Sequence, residues 1–270
     1  MRRGIASQVI YADTLESVDS RNILNSVIPG ILGKLGNLPF VLAQPLEIAD
    51  YIIGLDVSRV AKAKLPGTLN ACAASIRLYG RQGEFIRYQL EDALIEGEEI
   101  PRRILESLLP VAELRNKTVL IYRDGSFRGQ EVHNLVEWAK AIGANFILVD
   151  CLKSGNPRLY NFSKINQTIS APTQGLALRI SSREAIVVTT RVHLSVGLAR
   201  PLRLRIHPQG HQTSIENVVE TTLKLTLLHY GALKEPRLPM LLHGSDRIAY
   251  LRLNGINFSG VLTGDRQPWL

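Results

Sequence analysis

The sequence predicts an α/β fold in which a mixed β-sheet is flanked by helices, and three observations carry that reading. A chain of 270 residues with 45% hydrophobic content is long enough to bury a full core. The run Tyr51–Val57 is almost continuously apolar, the pattern of a strand covered on both faces. Beyond it, apolar runs of strand length alternate with amphipathic helical ones, which implies parallel pairing. No repeat appears at the roughly 20–50-residue periods of solenoids.

Each element follows from its local pattern. Ser20–Leu35 reads as a helix because Ile23, Leu24, Val27, Ile28, Ile31 and Leu32 fall at spacings of three and four, with Pro29 as a place to kink. After the turn at Gly36-Asn37, Leu38–Ala43 reads as a strand, and Pro45 marks a linker. Tyr51–Val57, Ala71–Tyr79 and Glu84–Leu90 form a meander, the last two joined by a turn at Gly80–Gly83. An acidic segment closes it. Pro101 opens a helix to about Val111, with Ile104, Leu105, Leu108 and Leu109 as its inner stripe. Strand Lys117–Tyr122, helix Gln130–Ile142 and strand Asn145–Val149 come next. Leu176–Ile180 and Ala185–Val192 read as strands, and Leu202–Ile206 alternates strictly apolar and basic. Thr213-Ser214-Ile215-Glu216 matches a capping box that opens a long helix, and a last helix is expected over Ser245–Leu253. The central order β-β-β-α-β-α-β is that of an RNase H-like fold. The change of character near Pro45 divides the chain into residues 1–48, the end of a neighbouring lobe, and residues 49–270, the main domain.

The formal charge of +8 attracts polyanions, although a solubilising surface charge accounts for it equally well. Cys72 and Cys151 sit in apolar strand-like runs with no CxxC pairing, so buried thiols in a reducing compartment are expected rather than a disulfide or zinc site. Met1-Arg2-Arg3 is followed by no adequate apolar run, and no stretch reaches the roughly 18 apolar residues of a membrane span, so the expectation is a cytoplasmic protein.

Three aspartates stand where a metal site needs them. Asp56 lies near the carboxyl end of the most apolar strand, and Asp124 ends a second apolar strand before Gly125. Asp246 falls at the start of the last expected helix. Each has an ordinary alternative: a turn role for Asp56 and Asp124, a capping role for Asp246. Together, three carboxylates on a basic chain suit a pair of Mg²⁺ ions about 4 Å apart in phosphoryl transfer.

In this order, the runs Ile53-Gly54-Leu55-Asp56, Arg123-Asp124-Gly125-Ser126-Phe127-Arg128-Gly129-Gln130, Arg237-Leu238-Pro239 and Asp246-Arg247-Ile248-Ala249-Tyr250 resemble the Piwi domain of Argonaute proteins, especially bacterial ones. The resemblance implies that Asp56, Asp124 and Asp246 hold Mg²⁺ or Mn²⁺. It also implies that a glutamate from a mobile loop completes the catalytic set. Gly97-Glu98-Glu99-Ile100-Pro101 resembles that loop, and the role is carried to Glu98, with Glu99 and Glu96 as alternative registers and a solvated acidic turn as the plain reading. Arg200-Pro201-Leu202-Arg203-Leu204-Arg205 resembles the stretch before the long Piwi helix. Arg200, Arg203 and Arg205 are candidate nucleic-acid contacts, or else charges on an exposed strand face. Lys153-Ser154-Gly155 resembles the family's polar loop after the preceding strand.

Residues 1–48 resemble the end of the Argonaute Mid domain. Gln8 and Lys34 match two members of its guide-phosphate set, and Leu270 would contribute through its terminal carboxylate. The resemblance covers nearly the whole chain but no N-terminal domain, PAZ domain or main part of Mid, so it is compatible alike with a split protein whose separate partner chain carries them, a truncated relative and an excised piece of a longer protein. It implies a metal-dependent endonuclease that cuts a target strand paired to a 5′-phosphorylated guide. The alternatives are a non-cleaving guide-binding module needing a partner chain, and an RNase H-like nuclease acting without a guide.

Overall fold

A computed structural model describes residues 7–16, 20–59, 71–93, 99–190, 199–231, 236–256 and 262–270. Before the sheet come a short helix α1 (Ala12–Leu15) and α2 (Ser20–Lys34), which contains Pro29 as expected. The meander is β1 (Tyr51–Arg59), β2 (Ala71–Tyr79) and β3 (Phe85–Ala93), antiparallel throughout. Then follow α3 (Arg102–Leu108), α4 (Val111–Leu114), β4 (Thr118–Asp124), α5 (Glu131–Ile142) and β5 (Asn145–Leu152). A hairpin of β6 (Asn161–Ser163) and β7 (Thr168–Ser170) stands apart from the main sheet. The chain continues through β8 (Ala177–Ser181), β9 (Glu184–Val187), β10 (Leu202–Ile206), α6 (Ile215–Thr226), α7 (Met240–Leu253) and β11 (Thr263–Gly264).

The strands form one mixed sheet in the order β11-β3-β2-β1-β4-β5-β10-β9-β8. Its centre, β1-β4-β5, is parallel, as the alternation with helices requires. Strand residues alternate between two cores. Ile52 of β1, Leu120 and Tyr122 of β4 and Ile147, Val149 and Cys151 of β5 share one core with α6 and α7. Ile53, Leu55, Val119, Ile121, Phe146 and Leu148 share the other with α3, α4 and α5. Both cysteines are buried thiols, and burial pushes Cys72 up to about 12 and Cys151 further. Among the described residues no helix is long and apolar enough to cross a membrane.

Five expectations are corrected. Leu38–Ala43 is irregular rather than a strand. Pro39 has no N–H to give a ladder, and the backbone of this region instead bonds the β2–β3 turn, Leu42 N to Gln82 O at 3.0 Å and Leu46 N to Arg81 O at 2.8 Å. The helix expected over Pro101–Val111 is two helices, because Pro110 forces Leu109 out of helical geometry, to φ −124° and ψ 72°. Helix α6 is capped by Ser214 rather than Thr213: the Ser214 Oγ accepts from Asn217 N at 3.1 Å. Helix α7 begins at Met240, five residues before the expected Ser245. Pro239 supplies the extended residue before its first turn, and Gly244 and Ser245 are buried inside it. The strand expected over Ala185–Val192 ends at Val187: residues 188–190 are irregular, and its last two residues lie outside the described residues.

A carboxylate cluster and a docked carboxyl terminus

The parallel ladder sets Leu55 beside Arg123, so the next residues along, Asp56 and Asp124, stand on adjacent strands. Both share strand parity with the core that lies under α6 and α7. Asp246 reaches the same place from the second turn of α7, not from its amino end, so the capping role is excluded. One oxygen from each of the three carboxylates lies within 4.8 Å of the others. Asp56 is 6% and Asp124 9% exposed; Asp246 is the most accessible of the three.

Such crowding is costly without a cation. Burial, then the neighbouring Asp124 and Asp246 charges, raises Asp56 to about 7, against the opposing pull of Arg123 and Lys153. Asp124 is raised by burial and lowered in part by Lys153. The second Asp124 oxygen, Oδ1, is buried with no hydrogen-bond partner. A converging set of hard oxygen donors, one of them buried and unpartnered, fits a divalent cation of the magnesium class.

Sequence reasoning left out the cations around this cluster. Lys153 Nζ donates to Asp124 Oδ2 at 2.7 Å. It lies two residues beyond Cys151 and so keeps the strand parity that points to α7. Burial alone would lower Lys153, but attraction to Asp124, Asp246 and Asp56 holds it above its ordinary value. On the opposite parity, Arg123 Nε meets Glu131 Oε2 at 3.3 Å, and its Nη1 lies 4.0 Å from Asp56 Oδ1. A buried arginine at the end of an apolar strand was the available signal, because it needs an acidic partner.

The acidic loop is only partly described. Glu98 and Glu96 lie outside the described residues. The Glu99 Oε1 accepts from Gln130 N at 2.9 Å, at the start of α5. Arg203 pairs with Glu184, and Arg205 grips Asp150 Oδ2 through Nε at 2.8 Å and Nη2 at 2.5 Å. These two arginines alternate with Leu202, Leu204 and Ile206 of the α6–α7 core, so they face away from the carboxylates. Arg200 is exposed.

Gln8 and Lys34, 26 residues apart, meet: Lys34 Nζ donates to Gln8 Oε1 at 2.5 Å and to Ser7 O at 3.0 Å. Burial lowers the Lys34 ammonium. Residues 267–270 pack against the end of α2, next to Lys34 in sequence. Gln267 N donates to Gly33 O at 3.2 Å, and a side chain at Gly33 would strike Leu270 Cδ1. Trp269 packs edge-on against Phe85 and Tyr88, at 5.6 and 5.9 Å.

Comparison with known proteins agrees with this geometry. The Piwi domain family matches residues 1–257. The Argonaute of Aquifex aeolicus strain VF5 is 26% identical over 274 aligned residues, covering 100% of this chain and 37% of that protein. The Argonaute of Methanocaldococcus jannaschii is 22% identical over 90% of this chain and 33% of its own length. Among solved structures, Clostridium butyricum Argonaute bound to a guide DNA and a 19-mer target DNA superposes with a TM-score of 0.82 at 22% identity, over 98% of this chain and 36% of that one. The Aquifex Argonaute with externally bound siRNA gives 0.79 at 27% identity, over 100% and 37%. The chain thus spans little more than a third of the length of the relatives it matches. With the mixed sheet, its flanking helices and the match over residues 1–257 in agreement, the chain belongs to the Piwi domain family.

Proposed function

We propose that this chain is the nuclease part of a guide-directed endonuclease of the Argonaute type, cutting a target strand paired to a 5′-phosphorylated guide. The observation that carries the proposal is the meeting of Asp56, Asp124 and Asp246, oxygens within 4.8 Å, on a chain of net charge +8. These three residues would hold Mg²⁺ or Mn²⁺. When bound, a pair of such ions stabilises the attacking and leaving oxygens of an in-line phosphodiester displacement.

The protein's own part is to position and to neutralise. Tight strand register fixes Asp56 against Asp124, and α7 brings Asp246 over them. Glu98 is proposed to complete the catalytic set. At the other site, Gln8, Lys34 and the Leu270 carboxylate are proposed to receive the guide's 5′ phosphate, a reading supported for the first two by their hydrogen bond. Arg200, Arg203 and Arg205 are proposed as backbone contacts, the latter two reached on the sheet face away from the carboxylates. Residues 1–48 would then be the end of a Mid-like lobe and residues 49–270 the Piwi domain. The protein would act in the cytoplasm.

The test is cleavage of a labelled DNA or RNA strand annealed to a 5′-phosphorylated guide, with Mg²⁺ or Mn²⁺, comparing the natural protein with Asp56→Ala. Cutting at one guide-defined position, lost in the variant while duplex binding persists, is the expected result. Duplex binding without cutting by either protein would favour a non-cleaving module. Cutting that does not depend on the guide would point to an unguided nuclease.

A further inference from the structure

Lys153 occupies a position the proposed chemistry does not explain. Its ammonium donates to Asp124 Oδ2 at 2.7 Å, inside a cluster whose three carboxylates lie within 4.8 Å of one another. A divalent ion bridging these oxygens and an ammonium on Asp124 compete for one electrostatic well, since both are drawn by the same three charges. The lysine side chain is 41% exposed, so it has open solvent to swing into, whereas the Asp124 side chain is only 3% exposed and stays.

The backbone beneath Lys153 is fastened. Arg237 Nη2 donates to the Lys153 carbonyl and, at 2.8 Å, to Pro201 O. Asn156 Nδ2 donates to Leu152 O at 2.8 Å and to Pro201 O at 2.9 Å. These bonds tie the end of β5 to the residue before β10. A movement of Lys153 is therefore a side-chain movement, with the main chain of the loop held.

We propose that Lys153 is a displaceable internal cation: it holds Asp124 while the carboxylate cluster is metal-free, leaves when a divalent ion enters, and so sets the metal affinity of the site. The inference rests on the metal reading of the cluster. It makes Lys153 a positioning residue that tunes occupancy, and assigns it no contact with substrate.

The experiment measures Mn²⁺ binding directly, by the loss of the free-ion paramagnetic resonance signal on titrating metal-free protein at slightly alkaline pH. The natural chain is compared with Lys153→Met, Lys153→Arg and Asp246→Asn. Lys153→Met should bind Mn²⁺ more tightly by roughly fivefold, the scale of one partly exposed ion pair, and should melt at a lower temperature in chelator. Lys153→Arg, which keeps the charge, should stay close to the natural protein in both. Unchanged or weaker binding by a folded Lys153→Met overturns the inference while leaving the metal site standing. Mn²⁺ binding absent from the natural protein, or surviving intact in Asp246→Asn, overturns the metal reading and this inference with it. If Lys153→Met does not fold, the arginine variant decides: a large change in Mn²⁺ affinity despite its retained charge overturns the inference, and natural-like affinity supports it.

Discussion

Glu131 accepts a hydrogen bond from Ile100 N at 2.7 Å, and so fastens the segment that follows the acidic loop to the first turn of α5. The same carboxylate takes Arg128 N at 3.1 Å and Arg123 Nε at 3.3 Å, with no exposure to solvent. One buried side chain thus serves as a common anchor for the segment at Ile100, the turn after Asp124 and the arginine beside Asp56. Removing it takes from the buried Arg123 its nearest carboxylate, leaving Asp56 at 4.0 Å as the next, and strips two buried backbone N–H groups of their acceptor. Glu131→Ala should cost about 3–5 kcal/mol of stability, read as a lower urea midpoint. Glu131→Gln keeps only one acceptor oxygen, so it retains either the Ile100 bond or the Arg128 and Arg123 bonds, and should cost less than alanine without restoring full stability.

The crowding of the aspartates gives the metal-free protein a pH dependence of definite sign. Asp56 is held near 7 in the folded chain against an ordinary value of 3.8. Between those values the folded state keeps a proton that the unfolded state has released, so stability falls as pH rises across the window and stays lower above it. Burial lowers His229, His243 and His207, which favours the folded state as pH rises through the same range, so the Asp56 contribution is read as a difference: in chelator, the melting temperature of the natural protein relative to Asp56→Asn should drop between about pH 4 and about pH 7. Mn²⁺ binding, which needs the ionised carboxylate, should strengthen over the same interval. A difference that stays flat or rises would contradict the assignment.

Gly54 lies two residues before Asp56, where β1 passes under α7. A methyl group there would come within 2.9 Å of the Leu241 carbonyl carbon and oxygen, which are backbone and cannot rotate aside. Gly54→Ala must push α7 off the sheet and carry Asp246 away from Asp56. The expected outcome is loss of most Mn²⁺ affinity in a protein that still folds, with overpacking costing about 1–3 kcal/mol. Full retention of metal binding would show that Asp246 is not held by this contact.

At the second site, Lys34→Ala and Gln8→Ala should each erase a preference for guides bearing a 5′ phosphate over guides ending in a hydroxyl. Affinity for the phosphorylated guide should fall about tenfold or more, as for a lost charged hydrogen bond. Equal binding of the two guides by the natural chain would remove the phosphate assignment. Filter binding with the two guides side by side reads this directly.

The aspartates were legible in the sequence for a plain reason: a charged residue that closes a long apolar run is conspicuous, and period-two alternation then fixes which face it takes. Asp246 was found by resemblance and placed on the wrong turn, because Pro239 and Gly244 look like loop residues until close packing on the sheet explains the glycine. A side chain at Gly244 would meet Ile76 and Trp269, from β2 and the last residues of the chain, and no local pattern contains that information. Lys153, Arg123 and Glu131 escaped notice for a related reason. Each takes its meaning from a partner on another element, and sequence spacing does not show partners. The arginines of β10 illustrate the converse: their alternation was plain, while Asp150 and Glu184, which hold them, lie on two other strands.

The placement of Asp246 on the last long helix has a consequence for how the protein is made. Asp56 and Asp124 sit on strands that leave the ribosome well before α7, and the central sheet can pair without it. During that interval the growing chain carries two carboxylates of the cluster and lacks the third. The third carboxylate joins the other two only once α7 has settled on β1 and β2, so the donor set proposed for a divalent ion is completed after the central strands have been made, not before.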